Sequence, residues 1–266
     1  MVQPSYYRTI WISDVHLGTR ACAASSLLDF LRHHVAETLY LVGDIVDGWN
    51  WGPFWYWSRA QQEVVNEIVR WRHRGANVVF IPGNHDEFKV GLVEELLGPI
   101  PCTSSIIHTT ADDARMLVIH GHQFDGSLNP NRLLPIIGTR GYARAQRIND
   151  WYHRQSGQED DEGRSLSDYF KYPARKAFEF LTDFRDRAVL AAAREHKADG
   201  VICGHIHRAD NRLIRTILYV NDGDWVQNRT AVVEEQDGTL QVIRWTGSHP
   251  NTLLSEPIPM SQGVAL

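Results

Sequence analysis

The 266-residue chain is predicted to fold as a layered α/β protein of one large domain carrying a helical insertion. Three observations predict it. Short apolar runs recur at Thr9–Ile12, Leu39–Val42, Val78–Ile81, Met116–Ile119 and Val201–Cys203, as expected of strands covered on both faces. Helix-like segments separate the early runs, which is the alternation of an α/β layer protein. Each run is followed at once by Asp, Asn or His, and parallel strands would deliver such residues to one edge, where these sheets bind ligands.

In chain order, Ser25 or Ser26 is expected to cap a helix running to His34. Ser58 is expected to cap a longer one that stops near Gly75. From residue 123 to 197 strand alternation disappears. Arg, Ala and aromatic residues dominate, broken by the polar run 155–164, so this stretch reads as a helical insertion or cap whose Ala-rich segment Ala188–Arg194 packs. Beyond it, Leu213–Val220, Thr230–Glu234 and Leu240–Trp245 read as strands of a second sheet, with Asp237-Gly238 as a hairpin turn. The stretch from Gly247 onward reads as an irregular tail.

Composition narrows the function classes. A net charge of −5 argues against indiscriminate nucleic-acid binding. Cys22, Cys102 and Cys203 are far apart and odd in number, so they suggest no disulfide framework and are read as buried small residues. No charged segment followed by an apolar one precedes Ile10, and no apolar run approaches the ~18 residues of a membrane span. The expectation is a cytoplasmic protein that could touch a membrane surface, its oligomeric state left open.

The chemistry lies in five short segments: Asp14 and His16 in ISDVH, Asp44 and Asp47 in LVGDIVD, Asn84 and His85 in PGNHD, His120 in VIHGH, and His205 and His207 in GHIH. A two-metal hydrolytic site needs a bridging carboxylate, further oxygen and imidazole ligands, and open positions for water and substrate. All are present. Asp14 and His16, two apart on an extended segment, would project together and grip one ion, and His205 and His207 would repeat that geometry. Each fragment alone is weak, since a lone histidine is more often structural. A metal-free core holding so many ionisable groups would be costly.

These residues resemble the calcineurin-like metallophosphoesterases, whose motifs stand here as Asp14-Val15-His16, Gly43-Asp44-Ile45-Val46-Asp47, Gly83-Asn84-His85-Asp86, His120 and Gly204-His205-Ile206-His207. The resemblance spans about residues 8 to 230. It implies a two-sheet β-sandwich flanked by helices and a pair of divalent metals, most often manganese, with iron, zinc or magnesium as alternatives. It implies that Asp14, His16, Asp44 and His207 hold one ion, and Asp44, Asn84, His120 and His205 the other. It further implies that a water activated between the ions attacks the phosphorus, that His85 contacts the phosphoryl or leaving group, and that Asp47 orients His85. Asp86 is read as a loop carboxylate binding backbone amides, and His122 as either support for the ligands or surface.

Substrate is narrowed by two comparisons. GDIVDGW lacks the arginine that phosphoprotein phosphatases carry after Gly-Asp-x-x-Asp. The ISDVHLG opening, LVGDIVDGW, the helical insertion and Asn221-Asp222-Gly223-Asp224-Trp225 are similar to the UDP-2,3-diacylglucosamine pyrophosphatases of lipid A biosynthesis, which release UMP and a lipid monophosphate. Those enzymes typically have Arg where His85 stands, and His-Gly-Asp where this chain has His120-Gly121-His122. The expected reaction is hydrolysis of a pyrophosphate or phosphodiester bond in a phosphorylated small molecule or nucleotide-sugar lipid. A general phosphodiesterase or phosphomonoesterase for soluble substrates is the alternative, and a non-catalytic scaffold a further one. Trp51 and Trp55, in a loop that also holds Trp49, Phe54, Tyr56 and Trp57, are candidates for acyl-chain or base contact, against ordinary packing. Arg140 and Arg144, with Arg147, Trp151 and Tyr152, are candidates for phosphate or bilayer contact, against a solvated helix face.

Overall fold

Strand β1 (Ser5–Ile12) turns Ile10 and Ile12 to one side of its sheet and Trp11 to the other, and all three side chains are fully buried. In β2 (His34–Val42), Leu39 and Leu41 face the first core and Tyr40 and Val42 the second; in β3 (Asn77–Ile81), Val78 and Phe80 are divided in the same way from Val79 and Ile81. With both faces covered, period-2 alternation is invisible in composition and the strands read as apolar runs. This is the computed structural model of the chain, which describes residues 4–50, 52, 55–86, 90–124, 185–247 and 252–253.

The remaining strands are β4 (Ser105–Thr109), β5 (Arg115–Ile119), β6 (Gly200–Cys203), β7 (Asp210–Ile214), β8 (Ile217–Asn221), β9 (Thr230–Glu234), β10 (Leu240–Arg244) and β11 (Thr252–Leu253). They form two mixed sheets, a six-stranded one ordered β11-β10-β9-β1-β2-β3 and a five-stranded one ordered β4-β5-β6-β8-β7. The parallel pairs are β1 with β2, β2 with β3, β5 with β6, and β6 with β8. Helices α1 (Ala24–His33), α2 (Arg59–His73) and α3 (Val90–Leu97) cover the outer face of the first sheet through Leu27, Phe30, Val64, Ile68, Trp71 and Val93. The inner core between the sheets joins Trp11, Tyr40 and Val79 to Met116, Val118, Ile202, Leu218 and Val220. This is the expected two-sheet architecture flanked by helices.

Several local expectations are corrected. The run Leu213–Val220 is a hairpin, because the chain reverses at Arg215 (φ 58°) and pairs β7 antiparallel to β8. Its turn carries no Gly, Pro, Asn or Asp to mark it. The late strands do not build one sheet: β7 and β8 join the second, while β9 and β10 complete the first. Residues 252–253 of the expected tail pair with β10. Helix α1 begins at Ala24 with no side-chain cap, and neither Ser25 nor Ser26 supplies one. The entry is fixed instead by a tertiary bond, Ala23 N–H to the Trp225 carbonyl at 2.7 Å. Ser58 does cap α2, accepting from the Gln61 amide. Of the cysteines only Cys203 is buried; Cys22 is half-buried and Cys102 exposed.

The chain divides into two compact units, Met1–His122 with Val189–Leu266, and Gln123–Ala188. Most of the segment 123–197, including Arg140, Arg144, Arg147, Trp151 and Tyr152, lies outside the described residues, as does Trp51. Helical residues 189–196 bury Val189, Leu190 and Ala193, consistent with packing by the Ala-rich segment. Among the described residues no helix is long and apolar enough to cross a membrane.

One buried carboxylate ties the sheets together. Glu234 on β9 accepts from Thr9 Oγ1 at 2.7 Å, from the Ala111 amide at 2.9 Å and from Arg8, and its Oε2 lies 2.9 Å from His108 Nε2 on β4. Burial raises its pKa, but His108, Thr9 and Arg8 outweigh burial and leave it lowered. A depressed folded pKa gives stability that is present above the ordinary carboxylate range and lost as pH falls through the lower value. Glu234→Gln is expected to cost about 3 kcal/mol near neutral pH, because partly buried Arg8 and the Thr9, Ala111 and His108 groups lose the anion they face. Denaturant titrations of the two chains at pH 7 and pH 4 measure it, and the gap should narrow at the lower pH.

Candidate metal centre

The ligand-type residues sit just past the C-terminal ends of β1, β2, β5 and β6 and in the loop after β3. The loops after β1 and β2 run side by side, with Asp14 N–H on the Gly43 carbonyl at 3.0 Å, His16 N–H on that of Asp44 at 2.9 Å and Leu17 N–H on that of Ile45 at 2.9 Å. The Gly204 amide in turn donates to the His120 carbonyl at 3.0 Å, joining the loops after β5 and β6.

Backbone conformation corrects the expected route to this convergence. Asp14 (φ 50°), His16 (φ 52°), Asp44 (φ 52°), His205 (φ 72°) and His207 (φ 55°) all occupy the left-handed region. Asp-x-His and His-x-His therefore do not project from extended backbone. Non-glycine residues pay strain there, and such residues concentrate at functional sites. Five occur in this one cluster.

The side chains form two groups with a third beside them. Asp14, His16 and His207 offer ligand atoms within 4.8 Å of one another, as do Asp44, His120 and His205, and likewise His16, Asp47 and His85. In the first group His207 Nε2 lies 3.1 Å from Asp14 Oδ1 and 3.4 Å from His16 Nε2. In the second, His120 Nε2 lies 3.4 Å from Asp44 Oδ1. Asp44 is common ground, because its Oδ2 is 3.9 Å from His16 Nε2 and 3.9 Å from His85 Nε2. Asp47 stands between two imidazoles, Oδ1 3.2 Å from His85 Nδ1 and Oδ2 3.7 Å from His16 Nδ1.

Whether these residues suit a cation is decided by their unsatisfied atoms. Asn84 Oδ1 is buried without a hydrogen-bond partner, and buried Asp14 Oδ1 and His120 Nε2 meet only the His207 and Asp44 groups of the same cluster. Buried polar atoms left without partners are costly, and all three are donors of the expected ligand set. His120 Nδ1 lies 2.7 Å from the Val42 carbonyl, where only an N–H fits, so Nε2 is the nitrogen left to face a metal once its own proton is displaced. The residues fit divalent cations.

Electrostatics agree. Burial pushes the Asp44 carboxyl up, but His120 and His85 outweigh it and hold the group well below the usual carboxylate range; Asp14 is lowered in the same way by His207, His120 and Ser13. Burial pulls the imidazoles down, yet Asp44 and Asp14 raise His120 to about 9, and neighbouring carboxylates raise His85 and His207. At pH 7.5 the metal-free chain thus carries a proton on His120 that coordination must displace. Loading a divalent ion into the chelated chain in weak buffer is expected to release about one proton or more per chain. The release should fade above pH 9, and pH-indicator titration measures it.

Close packing explains two motif glycines. A Cβ on Gly83 would lie 2.3 Å from Asp44 Oδ1 and 2.8 Å from His120 Nε2, and one on Gly204 would lie 2.1 Å from Ser13 Oγ and 2.5 Å from Asp14 Oδ2. Gly204→Ala is expected to displace Asp14, lower metal content and destabilise by about 1–3 kcal/mol. Metal analysis beside thermal melting checks it.

Asp86 is the loop carboxylate expected, accepting from the amides of Val46 at 2.8 Å, Gly83 at 2.9 Å and Ile45 at 3.3 Å; burial nevertheless pushes it up to about 6. His122 is half-buried with its ring 5.5 Å from that of His120 and 6.3 Å from that of His205, which sets it beside the ligand-type imidazoles. Trp55 is half-buried, lies over Gly18 and stacks on Trp57 at 5.5 Å, a packing position in the first core. Among the described residues the indole beside the metal groups is Trp49, stacked on His85 at 4.0 Å.

The end of β8 and the loop after it brace this cluster, a role the sequence alone did not reveal although Asn221–Trp225 carried the family resemblance. Asn221 Nδ2 donates to the Gly204 carbonyl at 2.7 Å, Asp224 Oδ2 lies 4.0 Å from His207 Nδ1, and Asn228 Nδ2 donates to the His207 carbonyl at 2.8 Å. Buried Asp222 lies 2.5 Å from Ser13 Oγ, itself 2.5 Å from Asp14 Oδ2. The polar run Asn221–Asp224 directly after an apolar strand was the available signal.

A two-sheet fold whose strand ends gather paired His and Asp groups for divalent ions defines a metal-dependent phosphoesterase. Residues 7–209 match the family described as Calcineurin-like phosphoesterase, and the chain belongs to that family. It is 24% identical over 251 residues to the UDP-2,3-diacylglucosamine hydrolase of Chromohalobacter salexigens, covering 86% of this chain and 93% of the other. Solved structures similar to it include Yfce, a phosphoesterase from E. coli (TM-score 0.48, 16% identity, 95% and 98% coverage). Another is a double mutant of Vps29 from Entamoeba histolytica (TM-score 0.49, 13% identity, 94% and 99% coverage).

Proposed function

We propose that the chain is a dinuclear-metal phosphohydrolase acting on a pyrophosphate or phosphodiester bond. The observation that carries this reading is the position of Asp44 between two His/Asp groups, with buried Asp14, Asn84 and His120 atoms left for cations. Asp14, His16, Asp44 and His207 hold one ion, and Asp44, Asn84, His120 and His205 the other. Manganese is the ion we assign, and the same mixed donors also accept iron, zinc or magnesium. Cations held there polarise the phosphoryl group, lower the pKa of a water and neutralise developing charge. The protein's own part is positioning. Asp47 holds His85 Nδ1 at 3.2 Å, which leaves Nε2 to face the phosphoryl or leaving-group oxygen. Asp47, Asp44 and Asp86 raise the pKa of this imidazole against its burial, which suits it to share a proton with such an oxygen.

For substrate we propose UDP-2,3-diacylglucosamine or a related nucleotide-linked lipid, cleaved to UMP and a lipid monophosphate on the cytoplasmic side of the inner membrane. Support comes from the relative that acts on it, similar over most of both chains. A second reading, a phosphodiesterase for soluble substrates, is favoured by His85, which stands where those pyrophosphatases typically carry Arg and lacks its fixed fork for a phosphate. Manganese-dependent hydrolysis of UDP-2,3-diacylglucosamine in detergent, run beside UDP-glucose and an aryl phosphodiester with Asp44→Ala as blank, separates the two. UMP release selective for the acylated sugar upholds the first reading. Turnover of the aryl ester alone upholds the second.

A further inference from the structure

Trp49 is 57% exposed, although it belongs to the loop that carries Asp44 and Asp47. Its indole lies on the His85 imidazole with centroids 4.0 Å apart and planes at 23°. Its Nε1–H donates to the Asn84 carbonyl at 3.1 Å, and its backbone N–H to Asp47 Oδ1 at 3.2 Å. These ties hold a large apolar ring in water, where exposure forfeits the free energy of burial. Its neighbours Trp55 and Trp57 avoid that cost by stacking on each other at 5.5 Å within the first core. Fixing His85 does not demand an indole, because Asp47 already grips Nδ1.

We propose that Trp49 is the platform on which the substrate's nucleobase stacks, a proposal that rests on the phosphohydrolase reading above. A rigid ring with one side against His85 offers its remaining π-surface next to the reacting phosphoryl group. A planar base matches that surface, whereas an acyl chain needs an enclosing apolar groove, and among the described residues Trp49 is the one exposed ring beside the metal groups. Base-on-indole stacking adds affinity regardless of base identity, so it fits a nucleotide handle on a substrate selected elsewhere by its other half.

The test is calorimetric binding of UMP and of ribose 5-phosphate, which share a sugar and phosphate and differ in the base, to the manganese-reconstituted chain. Wild type is expected to bind UMP about 10-fold more tightly than ribose 5-phosphate. Trp49→Ala should erase that ratio while leaving the ribose 5-phosphate Kd unchanged, and Trp49→Phe should retain most of it. A ratio that survives in Trp49→Ala, or is absent from wild type, overturns the platform. Equal weakening of both ligands also overturns it, and would make Trp49 a support for His85. Aryl phosphodiester turnover, present in wild type and lost in Asp44→Ala, checks the metal centre separately. With that turnover intact a failed ratio removes the platform alone; with neither turnover nor binding, both readings fall.

Discussion

Asp44→Ala is expected to abolish manganese-dependent turnover, with a loss on the order of 10³-fold or more, and to bring bound metal below two ions per chain. The magnitude follows from what the carboxylate joins. Asp44 is 2% exposed, its Oδ1 accepts the His85 amide at 2.9 Å and faces His120, and its Oδ2 faces His16 and His85. Losing it removes the shared anion of both groups and leaves the His16, His85 and His120 imidazoles without the carboxylate they face. Several kcal/mol of transition-state charge stabilisation from metal ions corresponds to at least that rate factor. Chelation, reconstitution with manganese, metal analysis and a rate assay on the same preparation test it. Wild-type rate with Asp44 gone would remove the assignment of this cluster as the reaction centre.

His85→Ala is expected to act differently, lowering kcat by about 10²–10⁴ while both ions stay bound. Its imidazole contacts Asp47 and Trp49 and lies at 3.9 Å from Asp44, close enough that a ligand role must be tested. His16, Asp47 and His85 do form a group of metal-holding dimensions. Metal content therefore decides: an intact pair of ions with a depressed rate places His85 on the substrate, and loss of an ion makes it a ligand. A parallel measurement on Asp47→Asn should show a smaller loss in rate with metal retained, because the imidazole keeps a hydrogen-bond partner at Nδ1.

The candidate metal centre was legible before the fold because its chemistry is local. Carboxylates and imidazoles placed directly after buried strands announce themselves, since few other roles tolerate so many ionisable groups at the ends of apolar runs. The same logic made Asp86 readable as a loop carboxylate, and Ser58 as a cap. Readings failed where local signal was weak or partners came from afar. Ser25 and Ser26 were good caps in isolation, yet Ala23 takes the Trp225 carbonyl instead. The turn at Arg215 carried no turn residue, so two strands read as one. Trp55 and Trp49 were indistinguishable in a loop dense with aromatics.

By itself, then, the sequence determined the strand-to-ligand order, the donor types and the α/β class, because burial on both faces and ligand chemistry leave residue-level marks. Only the tertiary structure decided which strands pair in which sheet, which indole stands beside His85, and how Asn221, Asp222, Asp224 and Asn228 brace the Gly204–His207 turn. Those are contacts between segments distant in the chain, and their energies depend on distances that composition and periodicity do not carry.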